Sequence, residues 1–230
     1  MVVAFWGGNG FGKTALSMET AVTIGELGKT VCIISAEDFC EMSLRFGKVF
    51  PPENSITEVI KEPAKIHSCS FEVSNNVFFI GPSYTDTALN LHFTGHEARN
   101  LLETAESIYD IVIVDCTTWK ANAITGVALS KAKIIFIPIP AKTTAHMWFV
   151  ANQQTLEQKA PIISYIQNKT TSNFDFETLF KSLPDVEPKA IVPYIPEYQD
   201  IINDGKLICR DNVSVKNAAK FKTAISSLIL

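Results

Sequence analysis

The segment Gly7-Gly8-Asn9-Gly10-Phe11-Gly12-Lys13-Thr14 satisfies the spacing G-x-x-x-x-G-K-[ST] at every fixed position. Glycines let a backbone fold around phosphate oxygens with its N–H groups pointing inward, and a helix that follows offers its positive N-terminus. Lys13 adds a point charge toward the β- and γ-phosphates, and Thr14 is a ligand for Mg²⁺. Gly8, Asn9, Gly10, Phe11, Gly12, Lys13, Thr14 and Ala15 are therefore the expected phosphate contacts. The second piece of chemistry is Tyr109-Asp110-Ile111-Val112-Ile113-Val114-Asp115, an apolar strand ending in the carboxylate that a bound magnesium requires. Together the two motifs imply binding of a nucleoside triphosphate with Mg²⁺. Asn168-Lys169-Thr170-Thr171 bears on the base. It begins like the guanine-reading N-K-x-D, but Thr171 cannot accept from the guanine N1–H and exocyclic amine, whereas the Asn168 amide can still pair with adenine. ATP is the expected nucleotide, with Asn168 near its base; a solvent-facing strand end is the other reading of so short a pair.

These residues need a scaffold that brings distant strand ends together. Short β-branched runs alternate with longer helical segments, the pattern of crossover units and a doubly wound, mostly parallel α/β sheet with helices on both faces. Strands are expected at Val2–Trp6, Val31–Ser35, Val77–Gly81, Ile111–Asp115, Ile134–Pro138, Ile162–Gln167 and Ala190–Pro193. Several are apolar throughout, as strands covered on both faces must be. Helices are expected at Lys13–Leu27, Gly95–Ser107, Thr143–Gln158, Phe176–Leu183 and Val213–Leu228, the first stopped by Gly28. Between Phe50 and Asn76 prolines and asparagines dominate, and the chain reads as irregular with one short helix at Ile56–Lys61.

Composition narrows the class. The 230 residues carry 20 Lys+Arg against 24 Asp+Glu, a net charge of −4, which argues against a surface that is basic throughout for nucleic acid. Hydrophobic residues at 47% and charged ones at 19% are a globular balance, and one domain spanning 1–230 is expected. The longest apolar stretch, Lys133–Pro140, is far short of the ~20 residues that span a bilayer. Met1–Trp6 runs straight into glycines with no basic flank or cleavage site, so a cytoplasmic protein is expected. Cys32, Cys40, Cys69, Cys116 and Cys209 form an odd set without C-x-x-C spacing and read as buried thiols in a reducing compartment.

With these motifs in place, the sequence resembles the ParA/MinD group of P-loop ATPases, and within it the CpaE/TadZ-like proteins of pilus assembly. The resemblance runs through the phosphate loop, Lys29–Asp38, Asn76–Pro82, Tyr109–Thr118 and Ile191-Val192-Pro193-Tyr194-Ile195-Pro196-Glu197, the last standing where the family has a loop over the adenine. It implies ATP binding, with Pro193 at the base, and an ATP-dependent homodimer formed face to face. It also implies a partition or positioning switch that works with a cargo or activator protein, recruited to nucleoid, pole or inner membrane surface. Two departures stand out. The family's signature lysine falls at Gly8, and its acidic pair after the second strand appears as Ser35 and Glu37, with Asp38 adjacent. Glu37 or Asp38 remains a candidate to orient the attacking water, beside Lys13 and Asp115 in the catalytic set, and slow or absent hydrolysis is implied.

Weaker features complete the reading. Val213–Leu230 places Phe221, Ile225 and Leu228 at helical spacing among Lys216, Lys220 and Lys222. A helix docked on the sheet explains this spacing, and so does a membrane- or DNA-contacting end. His92 and His96 lack an evident third ligand for zinc. Lys120 could stand in for the lysine missing at position 8, and an ordinary solvated surface lysine is the other reading. Trp148 and Phe149 fit either an apolar helix face packed on the sheet or a partner interface. Three functions compete: the ATP-dependent switch, a non-hydrolysing adaptor on the same fold, and a P-loop phosphotransferase. The C-terminal tyrosine cluster of the kinases on this scaffold is missing, since the last tyrosine is Tyr198.

Overall fold

Runs such as Val2–Phe5 and Val31–Ser35 form strands with every residue buried, because helices cover both faces of the sheet they join. The computed structural model describes residues 1–37, 41–85, 93–140, 142–159, 162–170 and 188–229. The first half runs β1 (Val2–Phe5), α1 (Lys13–Glu26), β2 (Val31–Ser35), α2 (Glu41–Arg45), α3 (Ile56–Lys61), α4 (Ile66–Cys69), β3 (Phe71–Ser74) and β4 (Val77–Ile80). Then come α5 (Gly95–Ile108), β5 (Ile111–Asp115), α6 (Ala123–Lys131), β6 (Ile134–Pro140), α7 (Thr143–Lys159), β7 (Ile163–Thr170), β8 (Ala190–Pro193), α8 (Tyr198–Asn203) and α9 (Ala218–Ser226).

The strands make one eight-stranded sheet in the order β3-β4-β2-β5-β1-β6-β7-β8. Among the described strands only β3 runs antiparallel, to β4; every other neighbouring pair is parallel. The doubly wound expectation is borne out. Because β1 lies between β5 and β6, chain order reverses there, and such a reversal opens a crevice at the carboxyl ends of the strands. Alternate residues of β1, with Trp6 just beyond it, serve opposite faces: Val2, Ala4 and Trp6 join the core under α5, α6 and α7, and Val3 and Phe5 the core under α1 and α9.

Several expectations are corrected. Residues 50–76 are not irregular apart from α3, since they also hold α4 and the short antiparallel strand β3. The unpredicted α6 is buried nearly all round, so it lacks the polar–apolar contrast that reveals a helix; Asn122 caps it, accepting from the Thr125 N–H at 3.0 Å. Gly126 within it is needed for close approach, because a Cβ there would lie 3.1 Å from the Lys120 carbonyl oxygen. The last helix is shorter than expected, Ala218–Ser226 rather than Val213–Leu228. The expected helix Phe176–Leu183 lies outside the described residues, as do Asp38, Cys40 and His92. Cys32, Cys69, Cys116 and Cys209 are free and buried. No described helix is long and apolar enough to cross a membrane.

Candidate functional site

The loop from Gly7 to Gly12 leaves β1 at the centre of the sheet and enters α1. Gly10 and Gly12 adopt φ of 72° and 92°, the left-handed region that side chains disfavour. Gly12 is the N-cap of α1, and no side chain caps the helix. The first-turn N–H groups, which have no intrahelical partner, are thus left for an anion. Lys13 is buried; its Nζ donates to the Gly8 carbonyl at 3.4 Å and pairs with Glu37 at 3.7 Å. Phe11 donates its N–H to the Gly8 carbonyl at 3.3 Å. Its ring turns into the core against Trp148, with ring centroids 5.6 Å apart, and covers Gly8.

The carboxylate arrives from β5. Asp115 is in register with Phe5 of β1 and Ser35 of β2, so three strand ends converge on it. The Thr14 hydroxyl donates to Asp115 Oδ2 at 2.8 Å, while Oδ1 is buried without a hydrogen-bond partner. Burial pushes the Asp115 carboxyl up to about 7, against the opposing pull of Lys13 and the Thr14 hydrogen bond. A desolvated carboxylate with an orphaned oxygen beside a threonine hydroxyl suits a divalent cation, whose charge would favour the ionised form. Among the described residues no group of three or more His, Cys, Asp or Glu could hold a metal by itself. Mg²⁺ keeps waters and binds through one or two protein groups plus phosphates. Ser35, at the position of the family's first carboxylate, instead accepts from the Glu37 N–H at 3.3 Å.

A cavity of about 450 Å³ lies over these groups, lined by Gly10, Gly12, Lys13, Thr14, Glu37 and Asp115 among others. A second, of about 190 Å³, adjoins the start of α1 and is lined by Ala15, Asn168, Pro193 and Tyr194. All the expected phosphate, metal and base residues except Gly8 and Phe11 therefore line one cavity or the other. Asn168 is buried, and half its hydrogen-bonding capacity is committed: Nδ2 donates to the Phe11 carbonyl at 2.7 Å, and Oδ1 accepts from the Lys169 N–H at 2.9 Å. One N–H and one lone pair remain for a base.

Sequence reasoning missed Arg45, Glu41, Tyr198 and Gln199, which line the larger cavity from α2 and α8. No motif marks them, since they reach the loop only through the order of the strands. Lys120 donates to the Thr155 hydroxyl at 2.9 Å on an exposed surface. Thr118, just before it, ties the segment after β5 to the loop by donating to Asn9 Oδ1 at 2.7 Å. Trp148 and Phe149 are buried and pack on Trp6, Phe11 and Tyr165.

A mostly parallel sheet whose central strand feeds a phosphate loop, with a carboxylate at the end of the adjacent strand, is the arrangement of the P-loop NTPase fold. Residues 2–176 match the family model of an AAA domain, AAA_31, and the chain belongs to that family. No curated protein sequence matches it. Among solved structures it is similar to a ParA family ATPase from Chlorobium tepidum TLS, with a TM-score of 0.83 and 14% identity over 100% of this chain and 99% of that one. The septum site-determining protein MinD of Pyrococcus horikoshii OT3, complexed with Mg-ADP, gives 0.78 and 17% over 99% and 93%. A protein described as a plasmid partition protein of Borrelia burgdorferi B31, bound to AMPPNP, gives 0.79 and 17% over 99% and 97%. The fold is that of the ParA/MinD-type ATPases.

Proposed function

We propose that the chain binds ATP with Mg²⁺ and acts as a nucleotide-switched positioning or partition ATPase, working as a homodimer and with a cargo or activator protein. The observation that carries this reading is the convergence of Lys13, Thr14, Glu37 and Asp115 on the loop-lined cavity. The nucleotides in the titles of the MinD and Borrelia structures, Mg-ADP and AMPPNP, support the same ligand class, and a MinC:MinD complex of Aquifex aeolicus supports a protein partner. The narrower likeness to CpaE/TadZ-like proteins rests on sequence motifs alone.

The loop amides and the α1 N-terminus hold the phosphates, and Lys13 would exchange the Gly8 carbonyl for a phosphate oxygen. Thr14 and Asp115 would hold Mg²⁺, which neutralises charge developing on the transferred phosphoryl group. Glu37, ion-paired to Lys13, would accept a hydrogen bond from the attacking water and orient it. Ala15, Asn168 and Pro193 bound the space for the base.

A second reading, a non-hydrolysing adaptor, is favoured by Ser35 in place of a carboxylate and by the Phe11 ring over Gly8, which leaves no room for a loop lysine. Light scattering without nucleotide, with Mg·ADP and with Mg·ATP, run beside phosphate release, separates the two. A dimer that forms with ATP and decays as phosphate appears supports the switch; a nucleotide-independent state without phosphate release supports the adaptor. Lys13→Ala should lose tight ATP binding and keep its fold by circular dichroism. Wild-type affinity in that variant overturns the reading of the loop as the ATP site.

A further inference from the structure

Three cations gather around the cavity outside the loop motif. Lys169, directly after Asn168, lines both the phosphate cavity and the base cavity and so sits where they join. Its φ is 54°, a left-handed conformation unfavourable for a residue with a Cβ. Asn168 supports it: Oδ1 accepts the Lys169 N–H at 2.9 Å while Nδ2 grips the phosphate loop at the Phe11 carbonyl, 2.7 Å away. Such outliers persist where the surroundings over-determine them, and they cluster at ligand clamps. Lys142, just before α7, holds Nζ 3.8 Å from where a Cβ on Gly10 would lie, so it overhangs the loop. Arg45 closes α2 and lines the same cavity; its Nη2 donates to Glu41 at 2.6 Å, and its Nη1 is buried without an acceptor.

No carboxylate pairs with Lys142 or Lys169 among the described residues. Burial, then the charges of Lys142 and Arg45, disfavour the ammonium form of Lys169. Like charges held together beside an anion-binding loop are best offset by an anion.

We propose that Lys169, supported by Lys142 and Arg45, binds the phosphate chain of the nucleotide seated in the loop of the same chain. This rests on the nucleotide-binding reading above and extends it to residues that no motif marks. The test is calorimetric titration of the full chain with ADP and with AMPPNP, each with Mg²⁺, alongside thermal unfolding without nucleotide. Lys169→Gly removes the ammonium and the backbone strain together. Its unfolding temperature should be no lower than wild type, and both affinities should fall about tenfold or more, the loss of one charge-assisted hydrogen bond. Lys169→Arg keeps the charge and should recover most of the loss; Lys142→Ala should weaken both nucleotides as well. Wild-type affinity in Lys169→Gly overturns the proposal, and so does an arginine variant no better than the glycine one. Lys13→Ala is run in parallel. If wild type takes up neither nucleotide, the nucleotide-binding reading itself fails; if Lys13→Ala loses binding and Lys169→Gly does not, only the cationic rim falls.

Discussion

Gly8→Ala tests why the position of the missing lysine holds a glycine. Gly8 does not have the positive φ of Gly10 and Gly12, so its backbone would accept a side chain. The obstacle is a neighbour. A Cβ at position 8 would lie 2.7 Å from Cε1 and 2.8 Å from Cζ of Phe11, inside the separation that carbon atoms tolerate. The ring has little room to retreat, since it is 2% exposed and wedged against Trp148, which in turn abuts Trp6 at a centroid distance of 4.9 Å. Gly8→Ala is therefore an overpacking change costing about 1–3 kcal/mol. Phe11→Val opens a cavity and costs about 2–4 kcal/mol, somewhat less than a full truncation to Ala. In the double variant the clashing ring is gone, so the pair should cost no more than Phe11→Val alone. The two changes then couple by about 1–3 kcal/mol, well above the ~0.5 kcal/mol scatter of independent sites. Urea unfolding followed by circular dichroism measures all four species, with equal m-values as the check on two-state behaviour. Costs that simply add would refute this account of position 8.

Other consequences can be checked on the same material. Asn168→Ala frees the Phe11 carbonyl and the Lys169 N–H and should cost about 1–3 kcal/mol in urea unfolding; an unchanged midpoint would show that Asn168 does not hold the loop. Asp115→Asn should be at least as stable as wild type at pH 8 without nucleotide, because burial opposes the ionised carboxylate, and its AMPPNP affinity should cease to respond to Mg²⁺. A Mg²⁺ response equal to wild type would remove Asp115 from the metal site. Burial likewise raises Glu19 above its ordinary 4.5, although Tyr198, Ile208 and Cys209 donate to it. With the folded value above the unfolded one, the native state holds the extra proton, so this contribution is full below pH 4.5 and is lost as pH rises through the folded value. Glu19→Gln should therefore flatten the decline of unfolding free energy above pH 4.5, and an unchanged slope would assign it elsewhere. Phe221, Ile225 and Leu228 are buried against the fold, so the chain should not sediment with vesicles of mixed neutral and anionic lipid at 0.15 M salt; strong sedimentation would mean that α9 leaves the sheet.

What the sequence made legible, and what it hid, divides along chain distance. The phosphate loop spans eight consecutive residues, and its function fixes their spacing, so Lys13 and Thr14 could be placed from sequence alone. Asp115 was legible because a strand buried on both faces leaves a continuous apolar run, and a carboxylate at its end stands out. Arg45, Lys142 and Tyr198 belong to the same neighbourhood but come from α2, the β6–α7 junction and α8. Only the strand order carries them to the loop, and no local pattern records that. Helix α6 was missed because burial of most of its length blurs helical periodicity, and β3 because a strand of four half-exposed residues with a register shift at Glu72 and Ser74 gives little alternation. Position 8 lies between these cases. The sequence shows that the lysine is missing but not that Phe11, three residues on, occupies its space. A residue's absence is thus visible in one dimension, and its cause only in three. A lysine restored at position 8 should be tolerated only with a smaller residue at 11, which makes the pair, rather than either residue, the unit on which the chemistry of this loop depends.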